Sequence, residues 1–334
     1  MKMKTEADFP QLLQSFFMDR LMNQQQVSRN TIATHRDSFR LLVSFGQKRL
    51  KKAPSNLSMQ DLDVPFILEF LDHLEKERGN SVRSRNVRLA AIHAFFRFVA
   101  LNEPSLGAVA QRILAIPSKR FKRKHIDFLT EPEVKALLDA PDAHTWIGRR
   151  DHALLLVAIQ SGLRVSELTG LRCQDLVLGT GAHIRCTGKG RKQRSTPLRK
   201  DAVAALQSWL RERDGVPSAP LFPSVRAEQL SRDAVEYLVA KHAATAALQC
   251  PSLRNKRVSP HVLRHTTAME LLQHGVDRTV IALWLGHETT DTVDVYLHAS
   301  LDLKEKAMAK TSPTDSKQGR YKPDDNVLAF LRSL

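Results

Sequence analysis

The chain has 334 residues, 42% hydrophobic and 26% charged, enough apolar content to bury two ordinary cores and too much for a disordered chain. Its 51 Lys and Arg against 35 Asp and Glu leave a formal net charge of +16, which calls for a polyanionic partner. Nucleic acid or an anionic membrane would serve, and the membrane is the weaker reading, because the longest apolar run, Ala153 to Ile159, is seven residues where spanning a bilayer needs ~20. The N-terminal Met-Lys-Met-Lys-Thr-Glu-Ala-Asp has no apolar stretch and does not read as a signal peptide. Cys173, Cys186 and Cys250 lie far apart with no Cys-x-x-Cys, which argues against a disulfide framework or a Cys-based zinc module and fits a cytoplasmic protein.

Residues 1–115 read as a small helical bundle. A weak helical pattern covers Gln11 to Gln24. Ser28 is placed to cap a helix through Leu50, with Ile32, Phe39, Leu42, Val43 and Phe45 as its apolar face. Val64 to Arg78 buries Ile67, Leu68, Leu71 and Leu74 and is closed by Gly79. Ser81 to Leu101 follows, with Leu89, Ile92, Phe95, Phe96 and Val99 as its stripe. Ser81, Ser84, Arg85 and Arg88 are assigned to a common polar face of that helix, and Ser84, Arg85 and Arg88 are candidates to meet a DNA groove.

Residues 116–126 form a basic connector. Lys119, Arg120, Lys122, Arg123 and Lys124 follow Pro117 with no acid among them, so the segment is expected to be extended, exposed and in contact with phosphate.

A second domain, 127–310, opens on a Thr130-Glu-Pro-Glu133 capping box before a helix over Val134 to Leu138. Arg149 to Gln160 is an apolar, buried helix ended by Ser161-Gly162, and a short helix begins near Val165. Ala182 to Thr187 and Lys192 to Leu198 form a β-hairpin whose long basic tip holds Lys189, Arg191 and Lys192, the last two further candidates for DNA contact. Helices resume at Lys200–Arg213, Ser231–Leu248, Pro260–His274, Asp277–Leu285 and Asp291–Ala299. The fold class is therefore mainly α with a small β-sheet.

The unusual polar residues of this domain are Arg164, Lys189, His261, Arg264, His287 and Tyr296. Singly each has a bland explanation: Arg164 and Glu167, three apart, could be a surface pair, and Gly-Lys-Gly is a common turn without the Walker spacing. His261 and His265 share a helix face, but Val262 stands where a zinc protease has its Glu, and no metal site is expected. Together the six supply what phosphoryl transfer needs: guanidiniums for the non-bridging oxygens, a nucleophile, and an acid for the leaving oxygen. With no two-metal carboxylate cluster among them, the expected chemistry uses neither metal nor cofactor. Of the three tyrosines, Tyr237 is assigned to a packed helical stripe and Tyr321 to a polar tail, which leaves Tyr296 as the nucleophile.

These segments, Ser-Gly-Leu-Arg164-Val-Ser-Glu167-Leu, Thr-Gly-Lys189-Gly, Pro-His261-Val-Leu-Arg264-His265, Leu-Gly-His287 and Tyr296, stand in the order found in the tyrosine recombinases, and residues 127–300 resemble the catalytic domain of that family. The preceding bundle resembles its core-binding domain. The resemblance implies that Tyr296 attacks the scissile phosphate to leave a 3′-phosphotyrosine and that Arg164 and Arg264 clamp the phosphate. Lys189 would protonate the leaving 5′-oxygen, His261 and His287 would assist, and Glu167 would support Arg164 and His261. It further implies double-stranded DNA with specific core sites as partner, a homo-tetramer on synapsed DNA with or without related recombinases, and a place near the bacterial nucleoid.

Xer-like members carry Thr three residues before the nucleophile, where this chain has Val293, and the tail over 311–334 extends beyond a compact Xer-like domain. A recombinase of a mobile element is the expectation, ahead of Xer-type dimer resolution, a non-catalytic DNA-binding protein of the same fold and a relaxing topoisomerase. In the tail, Val327, Phe330, Leu331 and Leu334 form one apolar stripe of a short helix that is expected to dock on a neighbouring protomer.

Overall fold

The structure, a computed structural model, describes residues 8–121, 126–188, 192–213 and 215–286. Lys122, Arg123, Lys124, Lys189, Arg191, His287, Tyr296, the Asp291–Ala299 helix and the C-terminal stripe lie outside the described residues. The chain divides into two compact units, Met1–Arg123 and Lys124–Leu334.

In the first unit α1 (Phe9–Ser15) runs straight into a π-helical stretch, Phe16–Gln24. Then come α2 (Arg29–Leu50), α3 (Val64–Lys76), α4 (Val82–Asn102) and α5 (Gly107–Leu114). The starts follow from side-chain caps: Ser28 Oγ accepts from the Thr31 amide, Asp63 from Phe66 and Ser81 from Ser84. Phe9, Phe16, Phe39, Phe95 and Phe96 interlock at the centre in mostly edge-to-face contacts, with Phe39 and Phe95 centroids 5.2 Å apart. The short α5, which sequence reading passed over, turns Val109, Ala110, Ile113 and Leu114 to the core, with Ala110 and Ile113 fully buried.

Two expectations for this unit need correction. Arg85 is not on an open face: it is 3% exposed, its Nη1 donates to Asn86 Oδ1 and to the Pro117 carbonyl, and its Nε lies 3.6 Å from Glu75. Arg85, Leu89 and Ile92 are spaced i, i+4, i+7, so the arginine shares the buried stripe rather than opposing it. Arg88, half-buried, donates to Ser38 Oγ and the Thr34 carbonyl of α2, which leaves Ser84 as the exposed member of the trio. Nor is the connector wholly detached. Ile116 is 5% exposed in the first core, and Lys119 is tied to Asn86 through its backbone and to Glu75 through its ammonium at 2.8 Å.

The second unit contains α6 (Glu131–Asp139), α7 (Trp146–Ser161), α8 (Val165–Gly170), α9 (Lys200–Arg213), α10 (Arg232–Gln249), α11 (Pro260–Gln273) and α12 (Arg278–Leu285). A three-stranded antiparallel sheet, ordered β1 (Leu176–Val177), β2 (His183–Thr187), β3 (Gln193–Pro197), lies beside them. Helix α7 begins three residues earlier than its apolar pattern, because Thr145 Oγ1 caps the Gly148 amide. It is the central core helix, every residue from Ala153 to Ser161 being buried. Tyr237, assigned to a packed stripe, is instead 73% exposed: Val235, Leu238 and Val239 face the core, and residue 237 falls on the opposite side of α10.

Two buried ion clusters hold the helices together. Asp151 accepts from Arg150 Nη2 at 2.6 Å and from His242 Nε2 at 2.8 Å, joining α7 to α10. Glu133, 1% exposed at the start of α6, accepts from Lys256 Nζ (2.7 Å), Ser252 Oγ (2.7 Å) and the Thr130 amide (2.8 Å). Burial pushes the Glu133 carboxyl upward, but these hydrogen bonds and the Lys256 charge outweigh it and hold its pKa below the usual carboxylate value. The carboxylate therefore stabilises the fold above its unfolded pKa, and that stability is lost as pH falls through the lower folded value. Glu133→Gln is expected to cost about 1–3 kcal/mol at neutral pH in urea unfolding, the gap to wild type closing in acid as the native carboxyl is itself protonated.

Candidate active site

The site is assembled from helix ends. Helix α7 terminates at Gly162, φ +61°, and α12 terminates at Gly286, φ +64°, both in the left-handed conformation that favours glycine. Such termini leave carbonyls without intrahelical partners and carry partial negative charge. Three arginines take them up. Arg264 of α11, 3% exposed, donates through Nη1 to the Gly162 carbonyl (2.6 Å) and through Nη2 to the Leu285 carbonyl (2.7 Å). Arg164 donates through Nη2 to the Gly286 carbonyl (3.0 Å), and Arg194 through Nε to the Trp284 carbonyl (3.2 Å).

Glu167, in the first turn of α8, sits between two of these cations. Its Oε1 accepts from Arg164 Nη1 (3.1 Å) and Arg194 Nη1 (3.0 Å), and its Oε2 from Arg194 Nη2 (2.7 Å) and the Arg164 amide (2.8 Å). The amide bond makes Glu167 part of the helix start as well as of the site. Burial is the largest single influence on this carboxyl and raises its pKa. The Arg194 hydrogen bonds, the Arg164 amide and the two guanidinium charges together prevail, so it stays ionised below its ordinary range.

Arg164 and Arg264 thus reach adjacent carbonyls, those of Gly286 and Leu285, the two residues that precede His287 in the chain. The Arg164 side chain is 34% exposed and can be approached by an anion. His261 is exposed in the first turn of α11, one turn before Arg264, with its ring 4.2 Å from that of His265 in an edge-to-face pair. Lys192 and Arg120 are exposed. Among the described residues no group of three His, Cys, Asp or Glu side chains is arranged to hold a metal ion.

Arg194 is the residue that sequence reasoning missed. In the β2–β3 register Ile184 faces Thr196 and Cys186 faces Arg194, so alternation turns Arg194 toward the side on which Ile184 and Thr196 are fully buried. An inward-facing arginine in a strand requires a buried acid, and that was the available signal.

The phage integrase family matches residues 127–302, and the phage integrase N-terminal SAM-like domain matches residues 15–103. The chain is 56% identical over 332 residues to y4rC of Sinorhizobium fredii (strain NGR234), named an integrase/recombinase, spanning 99% of this chain and 100% of the relative. It is 33% identical over 291 residues to tyrosine recombinase XerD of Pseudomonas putida, covering 85% of this chain and 91% of XerD. In fold it resembles the XerH recombinase solved on a palindromic difH substrate in a post-cleavage complex, with TM-score 0.69 and 22% identity over 84% of this chain and 79% of that one. It also resembles the Tn1549 transposon integrase solved with transposon right-end DNA, with TM-score 0.68 and 16% identity over 90% of this chain and 98% of that one. A helical domain followed by a mostly helical catalytic domain with a small sheet is the architecture of DNA strand transferases of the integrase type. The chain belongs to the phage integrase family, the tyrosine-type site-specific DNA recombinases.

The close packing of the helix ends makes Gly162 a sensitive position. A Cβ there would lie 2.5 Å from Leu285 Cδ2 and 3.2 Å from Thr267 Cβ, at a φ that already disfavours it. Gly162→Ala is expected to lose more than about 1 kcal/mol in urea unfolding, since the backbone term alone is of that size; an unchanged midpoint would contradict the packing described.

Proposed function

We propose that the protein cuts and rejoins DNA at specific core sites through a 3′-phosphotyrosine on Tyr296, in the service of a mobile element. The phenol gives its proton to the His261 and His287 pair as its oxygen bonds to phosphorus and the bond to the 5′-oxygen breaks, Lys189 supplying the proton that the 5′-oxygen takes. A 5′-hydroxyl of the partner strand then attacks the same phosphorus, its proton returning to Lys189, and the phenol leaves with the proton that the histidines give back. Arg164 and Arg264 neutralise the non-bridging oxygens, and His261 and His287 hydrogen-bond the phosphate and assist proton transfer. Glu167 keeps Arg164 in place. Charge that divalent metals carry in other phosphoryl transferases falls here to guanidinium and ammonium groups. A tetramer on two synapsed duplexes supplies the partner strands.

The observation that carries this reading is the convergence of Arg164 and Arg264 on the Leu285–Gly286 carbonyls immediately before His287, with Glu167 locking the first of them. The 56% identity to an integrase/recombinase over 99% of this chain, together with Val293 at a position where Xer-like members carry Thr, favours a mobile element over chromosome-dimer resolution.

The test is covalent trapping. Labelled fragments flanking the protein's own gene, nicked at scattered positions, are incubated with wild type, Tyr296→Phe and the exposed-phenol control Tyr237→Phe, with a chelator present. A denaturant-resistant adduct is expected from wild type and Tyr237→Phe and not from Tyr296→Phe. Binding without any adduct from wild type would sink the catalytic reading, and an adduct surviving in Tyr296→Phe would sink the assignment of the nucleophile.

DNA contact by the exposed cations is tested separately. Arg120→Ala and Lys192→Ala are each expected to reduce the slope of log K against log salt by about 1, the effect of one lost phosphate contact. Arg85→Ala should leave that slope unaltered, its guanidinium being committed to Glu75, Asn86 and Pro117. Anisotropy titrations over a range of salt concentrations read both outcomes.

A further inference from the structure

Arg194 makes contacts that the six candidate side chains do not account for. Its side chain is 12% exposed, and its three nitrogens are all engaged: both Nη atoms on Glu167 and Nε on the Trp284 carbonyl. It is also enclosed by two glycines. A Cβ on Gly188 would come within 3.0 Å of Arg194 Nη1 and of Glu167 Oε1, and one on Gly286 within 2.5 Å of the same Nη1. The guanidinium therefore fills the space that these residues leave by having no side chain. Gly188 follows directly on β2, held by its amide to the Lys192 carbonyl at 2.8 Å, and Gly286 ends α12. The next residues in the chain are Lys189 and His287.

We infer that Arg194 is a positioning residue, joining the β2–β3 hairpin, the Glu167 carboxylate of α8 and the end of α12 so that the chain leaves Gly188 and Gly286 from fixed points. It acts through Glu167, Gly188 and the Trp284 carbonyl and touches no reacting atom. Two oxygens of one carboxylate and a separate backbone carbonyl demand a rigid planar donor set. A lysine ammonium can pair with Glu167 but cannot also make the paired carboxylate bonds and the carbonyl bond from one location. The kinetic part of this inference rests on the strand-transfer roles proposed above for Lys189 and His287.

Two variants and two readouts test it. Arg194→Lys keeps the charge and Arg194→Ala removes it; each is measured for cleavage of a nicked core-site fragment in single turnover at saturating protein, and for DNA affinity. Cleavage is expected to fall about 10- to 100-fold in both variants with affinity held within about twofold, because misplacement by a fraction of an ångström costs rate and not binding. Amide hydrogen exchange of the full-length protein is the second readout. Peptides covering 183–188 and 278–286 should exchange faster in both variants, while those covering α7 and α10 keep their protection. Wild-type cleavage by Arg194→Lys would overturn the inference, as would unchanged exchange at 278–286 in both variants. Loss of protection throughout the second unit in both would make Arg194 a stability residue only and would overturn it equally. If wild type itself forms no adduct, the proposed function fails, and the exchange comparison still decides whether Arg194 fixes the two glycine positions.

Discussion

A buried carboxylate between two guanidiniums governs the rest of this catalytic unit. Burying Glu167 as an anion is costly unless every lone pair finds a donor, and four donors converge on it from Arg164 and Arg194. In return the carboxylate lets two cations stand close together without mutual repulsion driving them apart. Its ionisation is safeguarded by the charges it holds, so the arrangement is self-consistent across neutral pH. Because one of the four donors is the backbone amide of Arg164, the residue that caps α8, the charge cluster is also part of the helix start.

The helix C-termini extend this logic. Gly162 and Gly286 stop their helices in the left-handed conformation and turn carbonyls outward, and Arg264, Arg164 and Arg194 satisfy those carbonyls. These arginines are oriented by neutral dipoles. That costs the site little charge and gives it fixed direction. The Arg150–Asp151–His242 cluster contains the same residue types and none of this accessibility: each of the three residues is buried. Residue type alone would have ranked the two clusters equally. A side chain one-third exposed at Arg164 and an exposed His261 separate the site from the structural cluster.

The first unit teaches the opposite lesson about arginine. Arg85 and Arg88 belong to a basic-looking helix start, yet both are used inside the unit, Arg85 on Glu75 and Pro117 and Arg88 on α2. Long side chains on a helix flank can bury their stems and bond backbone carbonyls across the interface, so a run of arginines does not by itself mark a nucleic-acid surface.

Much of this was legible without coordinates, because it is encoded locally. Ser28, Asp63, Ser81 and the Thr130–Glu133 box begin their helices through bonds spanning three residues, and Gly162 and Gly286 end theirs through a backbone preference of a single residue. Arg164, Glu167, His261 and Arg264 could be named as a group because they fall in short segments of unusual polarity, and the order of those segments identified the family. Other assignments failed where a helical face was misjudged, as at Arg85 and Tyr237, and α5 was passed over although Val109, Ala110, Ile113 and Leu114 share one face of its two turns. The role of Arg194 depends on partners at Glu167, Trp284, Gly188 and Gly286, which the chain brings together from four separate segments. Local chemistry determined the elements and the candidate polar groups. Which cations face an anion and which are consumed by the protein was decided by tertiary packing, since only the folded chain sets the burial and the partners of each charge.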